Sequence, residues 1–299
     1  MINTELLSTF LEVAKFKNLR VVAQRMCISQ PALTKRIKNL EEQMGISLFL
    51  RKRSGMDLNS FGKSLLEHCR GYAKELDGVQ SWIDTQKGNV AGQIVISCPS
   101  TFMSYTLPDF LKDFLQRYPQ VFINISATIS QVTEDLILKG DANVGILISR
   151  SSKRSLKIQE LCDNPLVIVC APDHPLAQKK VVTRSDIIKH RMIWFADARS
   201  RTVRSILAHM KLRYEQTEGL RVSDLEACKL YAVKGLGLAI MSVWQLQEEI
   251  EEGKLIILKG FRMNRPFYMI SRSEKYESPT VSLFKRELVA YCRKLKCSE

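Results

Sequence analysis

The segment beginning Ser29-Gln30-Pro31-Ala32-Leu33 constrains the fold more than any other part of the chain. Ser is a strong helix N-cap because its hydroxyl accepts from a free first-turn N–H, and proline fits that turn because no backbone donor is lost there. Leu33, Ile37, Leu40 and Met44 follow at spacings of four, three and four, one helical stripe that must face a core, and Gly45 ends it. At about 100° per residue, Pro31, Thr34, Lys35, Lys38 and Glu42 fall opposite that stripe, with Gln30 and Arg36 on its flanks. Upstream, Leu6, Leu7, Phe10, Val13 and Ala14 predict a helix over residues 3–16, residues 19–26 predict a second, and Cys27-Ile28 a short turn. A helix offering Gln, Thr, Lys and Arg near its start suits a major groove, where amides and hydroxyls bond base edges and cations bond bases or phosphates. A solvated charged face on a plain three-helix unit has the same pattern.

The next residues separate the two readings. After Leu48 and Phe49, Arg51-Lys52-Arg53-Ser54-Gly55-Met56-Asp57-Leu58-Asn59 reads as a two-stranded wing that carries cations toward phosphates. Charge agrees: residues 15–63 hold eleven Lys or Arg against Glu41, Glu42 and Asp57, in a chain of 299 residues with a formal net charge of +14. That excess suits nucleic acid, an acidic membrane surface or an anionic ligand. The composition, 45% hydrophobic and 25% charged, is neither disordered nor membranous. Apolar runs such as residues 166–171 fall short of the ~20 residues of a membrane helix, and the N-terminus lacks a basic head followed by a continuous apolar stretch. No membrane partner and a cytoplasmic location are therefore expected.

Residues 29–62 resemble the winged helix-turn-helix of LysR-type transcriptional regulators. Ser29, Gln30, Pro31, Ala32, Leu40, Glu41, Gly45, Leu48, Phe49, Arg51 and Gly62 match that family's pattern in order and spacing, whereas Val21, Val22 and Asn59 depart from it. The DNA-binding candidates are Ser29, Gln30, Pro31, Thr34, Lys35, Arg36, Lys38, Arg51, Lys52 and Arg53, with Gln30, Thr34, Lys35 and Arg36 reaching bases.

Beyond the wing, Leu65, Cys69, Tyr72, Leu76, Val79 and Ile83 form a heptad-like seam that needs a partner, either a second copy of the chain or its own C-terminal domain. The resemblance implies the second copy. After Gly92, strands at 93–98, 121–127, 144–148, 166–170 and 237–241 alternate with helices at 107–117, 132–138, 202–213, 224–233 and 243–251, which predicts mainly parallel α/β units.

This half also resembles the effector-binding part of the same regulators, through Thr106-Leu107-Pro108, Arg117-Tyr118-Pro119, Lys139-Gly140-Asp141, His174-Pro175-Leu176-Ala177 and Val233-Lys234-Gly235-Leu236-Gly237. The resemblance implies a winged helix-turn-helix domain over 1–60, a linker and dimerisation helix over 61–90, and an α/β effector-binding regulatory domain over 91–299. The last would comprise two Rossmann-like subdomains, 92–161 plus 267–299 and 162–266, similar to a small periplasmic binding protein. By the same analogy Ser100, Thr101, Thr128, Ser130, the 197–204 loop and Ser223 line an effector cleft. Arg199, Arg201 and Arg204, with Thr202 between them, add anion-binding chemistry or a solvated helix face. An anionic effector such as an organic acid follows from the first alternative.

The implied partners are double-stranded promoter DNA, the effector, a second copy or a tetramer of two dimers, and RNA polymerase if the chain activates. No metal or cofactor is expected: His68, His174, His190 and His209 lack ligand spacing. An enzyme is disfavoured because Ile240 stands where a dinucleotide fingerprint begun by Gly235 and Gly237 needs its third glycine, and there is no phosphate-binding P-loop. Two other readings stay open: a DNA-binding regulator whose C-terminal domain only assembles subunits, and a thiol sensor using Cys162 and Cys170.

Overall fold

The computed structural model describes residues 3–52, 55–69, 90–195, 201–213, 219–273 and 277–295, with the backbone alone at 51, 52, 55, 201 and 202. It divides into two compact units, residues 1–89 with 276–279 and residues 90–275 with 280–299.

The first unit contains α1 (Thr4–Phe16), α2 (Leu19–Arg25), α3 (Gln30–Met44), β1 (Phe49–Lys52), β2 (Gly55–Leu58) and the helical residues 60–69, here α4. Each of the first three helices starts on a side-chain cap: Asn3 accepts from Glu5 N, Asn18 from Arg20 N and Val21 N, and Ser29 from Ala32 N. Cys27 (φ 54°) turns the chain between α2 and α3, and Gly45 (φ 66°) ends α3 in the left-handed conformation. Phe10, Val13, Val22, Leu33, Leu40 and Leu48 are buried in one core. Val22, where the family pattern is richer in alanine, is fully buried there.

Several residues that carried the family resemblance hold the wing in place. Glu41 leaves α3 to accept from the backbone N–H groups of Leu48 (2.6 Å) and Phe49 (3.2 Å), fixing where β1 begins. Asn59 donates to Ser47 O (2.6 Å) and accepts from Gly62 N (2.8 Å), so the departure from the family pattern still caps α4. Gly62 packs so close that a Cβ would lie 2.2 Å from Leu48 O. β1 and β2 pair antiparallel from Phe49↔Leu58 to Lys52↔Gly55, and Met56 N bonds Lys17 O at 3.0 Å.

The second unit contains two five-stranded sheets. The first collects β3 (Ala91–Cys98), β4 (Gln120–Ala127), β5 (Val144–Leu147), β6 (Leu156–Glu160) and β12 (Tyr268–Arg272) in the order β4-β3-β5-β12-β6. Between these strands run α5 (Ser100–Tyr105), α6 (Leu107–Arg117) and α7 (Ser130–Lys139), and α12 (Pro279–Leu295) follows the last. The second collects β7 (Pro165–Cys170), β8 (Met192–Phe195), β9 (Gly219–Val222), β10 (Leu238–Ser242) and β11 (Ile256–Asn264) in the order β11-β7-β10-β8-β9. Its helices are α8 (Arg184–Ile187), α9 (Arg201–His209), α10 (Leu225–Val233) and α11 (Gln247–Glu251).

The expectation of mainly parallel sheets is corrected. β3 pairs parallel with β4 and β5, and β8 with β9 and β10, but β7, β11 and β12 enter their sheets antiparallel. The cause is the double crossing of the chain between sheets, which returns strands from the opposite end. The single helix expected over 243–251 is a 3-10 turn (Val243–Gln245) followed by α11, because Ser242 and Gln245 form a capping box. The helix expected to reach residue 213 stops at His209, with Lys211 left-handed (φ 52°).

Candidate nucleic-acid interface and ligand cleft

The outer face of α3 encloses a shallow concavity of about 510 Å³ lined by Gln30, Pro31, Thr34, Lys35 and Lys38. The stripe Leu33, Ile37 and Leu40 buries the opposite face, so packing fixes which side chains α3 presents. Gln30 and Lys35 are exposed, and Lys35 carries no ion pair among the described residues. Thr34 donates its hydroxyl proton to Gln30 O (3.0 Å), which leaves its lone pairs as acceptors. Lys38 pairs with Glu42 at 3.4 Å on the solvent side, a contact worth only about 0.3–0.5 kcal/mol and readily exchanged for a phosphate. Arg36, one of the proposed base contacts, instead reaches Glu5 of α1 at 2.5 Å. Ser29 serves as the N-cap and keeps α3 at a fixed start. Arg51 and Lys52 lie on β1; Arg53 lies outside the described residues, as does the seam beyond Cys69.

In the second unit three hydroxyls meet at the carboxyl ends of β3 and β4. Ser97 Oγ lies 2.6 Å from Thr128 Oγ1 and 3.1 Å from Thr133 Oγ1, and the two threonine oxygens are 2.7 Å apart. Ser97 and Thr133 are fully buried, whereas Thr128 is half-buried and is the member able to turn a proton outward. Ser130 begins α7, whose N-cap, Ile129, offers no side-chain acceptor, so the first-turn N–H groups stay available to an anion. Ser97 and Thr133 were not among the residues singled out from the sequence.

Ser100 and Thr101 open α5, and Thr101 Oγ1 accepts from Gln245 Nε2 at 3.3 Å, a bond from the first sheet's layer to the second's. Gln245 is 2% exposed, and its own Oε1 accepts from Ser242 N. A Ser followed by a Gln three residues later was its one visible signal in the sequence. Arg201 and Thr202 begin α9, Arg204 is exposed on it, and Arg199 lies outside the described residues. Ser223 is exposed just after β9.

A second polar cluster spans the same two layers. Lys229 Nζ lies 2.8 Å from Glu249, 3.1 Å from Glu226 and 3.4 Å from the Tyr105 hydroxyl, which itself donates to Glu226. Burial pulls the Lys229 ammonium down, and Glu249 and Glu226 more than reverse it, so its pKa is raised. Burial first and Glu226 second push the Tyr105 phenol up to about 12.

The thiols do not converge. Cys162 is buried in the core beneath the first sheet and Cys170 in that of the second, and both are unbridged. Among the described residues no group of three or more His, Cys, Asp or Glu is placed to hold a metal, and no helix is long and apolar enough to cross a membrane.

Two family models match: the bacterial regulatory helix-turn-helix of the lysR family over residues 4–63, and the LysR substrate binding domain over residues 87–293. A probable RuBisCO transcriptional regulator of Phaeodactylum tricornutum is 27% identical over 287 residues, covering 92% of each chain. A RuBisCO operon transcriptional regulator of Allochromatium vinosum is 25% identical over 298 residues, covering 97% of each. Among solved structures, full-length OxyR from Pseudomonas aeruginosa superposes with a TM-score of 0.74 at 16% identity, covering 98% of this chain and 95% of that one. From its capped reading helix to its paired sheets, the chain belongs to the LysR family of DNA-binding transcriptional regulators.

Proposed function

We propose that α3 and the wing read and grip promoter DNA while a small anionic effector bound in the second unit alters that binding or the bend of the DNA. The observation that carries the DNA reading is the concave, cation-bearing face formed by Gln30, Pro31, Thr34, Lys35 and Lys38. Gln30, Thr34 and Lys35 face base edges; Lys38, Arg51, Lys52 and Arg53 face phosphates; Ser29 and Pro31 set the helix start. Arg36 joins the base contacts only by releasing Glu5, an exposed pair worth about 1 kcal/mol or less.

The effector reading is supported by Thr128 and the uncapped start of α7, with Ser100, Thr101, Ser130, Ser223 and the arginines around 199–204 as further donors. Residues 1–60, 61–90 and 91–299 then serve as reader, dimerisation helix and regulatory domain. A homodimer or a tetramer of two dimers forms through the 65–83 seam, helped by apolar side chains left exposed on the second unit, Phe122 (74%), Ile129 (61%) and Leu230 (57%). The chain acts on DNA in the bacterial cytoplasm, as a regulator and not an enzyme, and contacts RNA polymerase if it activates. Footprinting of the full-length protein against a panel of organic acids tests the scheme. A footprint and bend that no acid changes would instead favour a regulator whose second unit only assembles subunits.

A further inference from the structure

Two short segments, 161–164 and 264–267, carry the chain between the sheets of the second unit and pair with each other. Leu161 N bonds Phe267 O (2.8 Å), Phe267 N bonds Cys162 O (2.9 Å) and Arg265 N bonds Asn164 O (3.0 Å). The side chain of Asn264 ties the facing strand twice, accepting from Asn164 N (3.0 Å) and donating to Asp163 (2.6 Å). Any change in the relation of the two sheets must bend this crossover.

Arg265 sits in it at 6% exposure, and among the described residues no acid pairs with its guanidinium and no acceptor bonds it. Its Nη1 is sealed from solvent without a partner, and so is Oδ1 of Asn164, the residue whose carbonyl takes the Arg265 N–H. Arginine cannot shed its proton to escape such a site. Burial depresses its pKa with no carboxylate offsetting it. Buried charges are otherwise paired, since an ion without its counter-charge is among the costliest things a core can hold. An enclosed water would satisfy the hydrogen bonds of both orphan atoms and would leave the charge uncompensated.

We propose that the crossover binds a small carboxylate with an adjacent hydrogen-bond donor, a 2-hydroxy acid being the simplest, its carboxylate on Arg265 and its hydroxyl on Asn164 Oδ1. The inference rests on the reading of this unit as a ligand-binding domain, and adds the anchoring residue and the ligand class. It does not use the Thr128 cleft, since neither Arg265 nor Asn164 shares a hydrogen bond with that cluster.

The test uses full-length protein in a carboxylate-free buffer, with thermal unfolding and calorimetric titration by glycolate, acetate and neutral glycolamide across the millimolar range. Glycolate should bind best, acetate about tenfold more weakly and glycolamide not measurably. Arg265→Met should abolish the glycolate response, and Asn164→Ala should make glycolate and acetate equivalent. Without ligand, Arg265→Met should unfold at the wild-type temperature or above it, because it removes an uncompensated charge; a fall would mark Arg265 as structural and overturn the proposal. Glycolate binding that survives Arg265→Met but not Thr128→Val would leave the ligand-binding reading standing and place the anion in the hydroxyl cleft, which also overturns it. No glycolate binding at all would remove the ligand class.

Discussion

Lys229 reaches across the second unit to Tyr105, its ammonium 3.4 Å from the hydroxyl and 5.8 Å from the ring centre. Tyr105 closes α5 of the first sheet's layer and Lys229 lies on α10 of the second's, so this pair, with Thr101 and Gln245, ties the two layers together. Lys229 also separates Glu226 from Glu249, and without it two carboxylates face each other in a largely buried setting. Lys229→Met should therefore cost about 3–5 kcal/mol, the usual penalty for breaking a buried ionic cluster from one side. Tyr105→Phe, which removes one hydroxyl, should cost about 1 kcal/mol. Thermal unfolding of both variants checks the ranking, and a Lys229→Met protein as stable as wild type would show that the cluster contributes nothing.

The two faces of the DNA reader should fail differently. Lys35 lies in the concavity of α3 and is the cation there without a carboxylate partner, whereas Lys52 lies on the wing strand β1. Lys35→Ala should relax base preference at one operator position, costing about 1–3 kcal/mol on the specific site and little on random DNA. Lys52→Ala should weaken both to a similar degree and lower the slope of log affinity against log salt by about 1. Titrations of operator and random duplexes over a salt series measure both effects, and equal losses for the two variants on both duplexes would refute the division.

Gly62 offers a sharper packing test. A Cβ there would stand 2.2 Å from Leu48 O, the same oxygen that accepts from Asn59 N at 3.0 Å. Neither can yield without breaking the junction between wing and α4. Gly62→Ala should destabilise the first unit by about 1–3 kcal/mol, whereas Gly45→Ala, where nothing lies within 4 Å, should suffer only the left-handed backbone penalty of about 1–2 kcal/mol. Proteolysis at the wing and unfolding of the first unit report the difference, and a smaller effect at Gly62 would contradict it.

Why the reader was legible in the sequence and the ligand-binding unit less so is a matter of how local the determinants are. Ser29, Glu41, Asn59 and Gly62 act on backbone a few to a dozen residues away, so their spacing alone implies the contact. β11 hides its alternation behind a register shift between Ile257 and Arg262, where Gly260 passes close to Val182 O. β12 and α12 complete a layer begun more than a hundred residues earlier, as Thr280 does by donating to Ala91 O. Ser97, Gln245, Lys229 and Arg265 gain their roles only when distant strands meet, which no local spacing encodes. Arginine-rich residues 199–204 drew attention by composition, although the described part of that segment presents Arg204 to solvent.

Buried thiols set the alkaline limit of the second unit. Burial pushes Cys98 up to about 12 and, with Asp173 and Asp224 adding to it, Cys170 and Cys228 to about 11. In the unfolded chain a thiol titrates near 8.5, so between about pH 9 and 11 the unfolded state has lost protons that the native state keeps. Stability is then fully present below about pH 8 and falls as pH rises toward the folded values, by at most about 1.4 kcal/mol per pH unit for each thiol. Cys98→Ala should start from a lower stability, through the cavity it leaves, and lose less of it between pH 8 and about pH 10 than wild type does. In the native protein at neutral pH, a thiol reagent should label exposed Cys27 promptly and Cys98, Cys162 and Cys170 only after unfolding. Labelling of Cys98 as fast as Cys27, or a Cys98→Ala pH profile parallel to wild type, would show that burial does not control these groups.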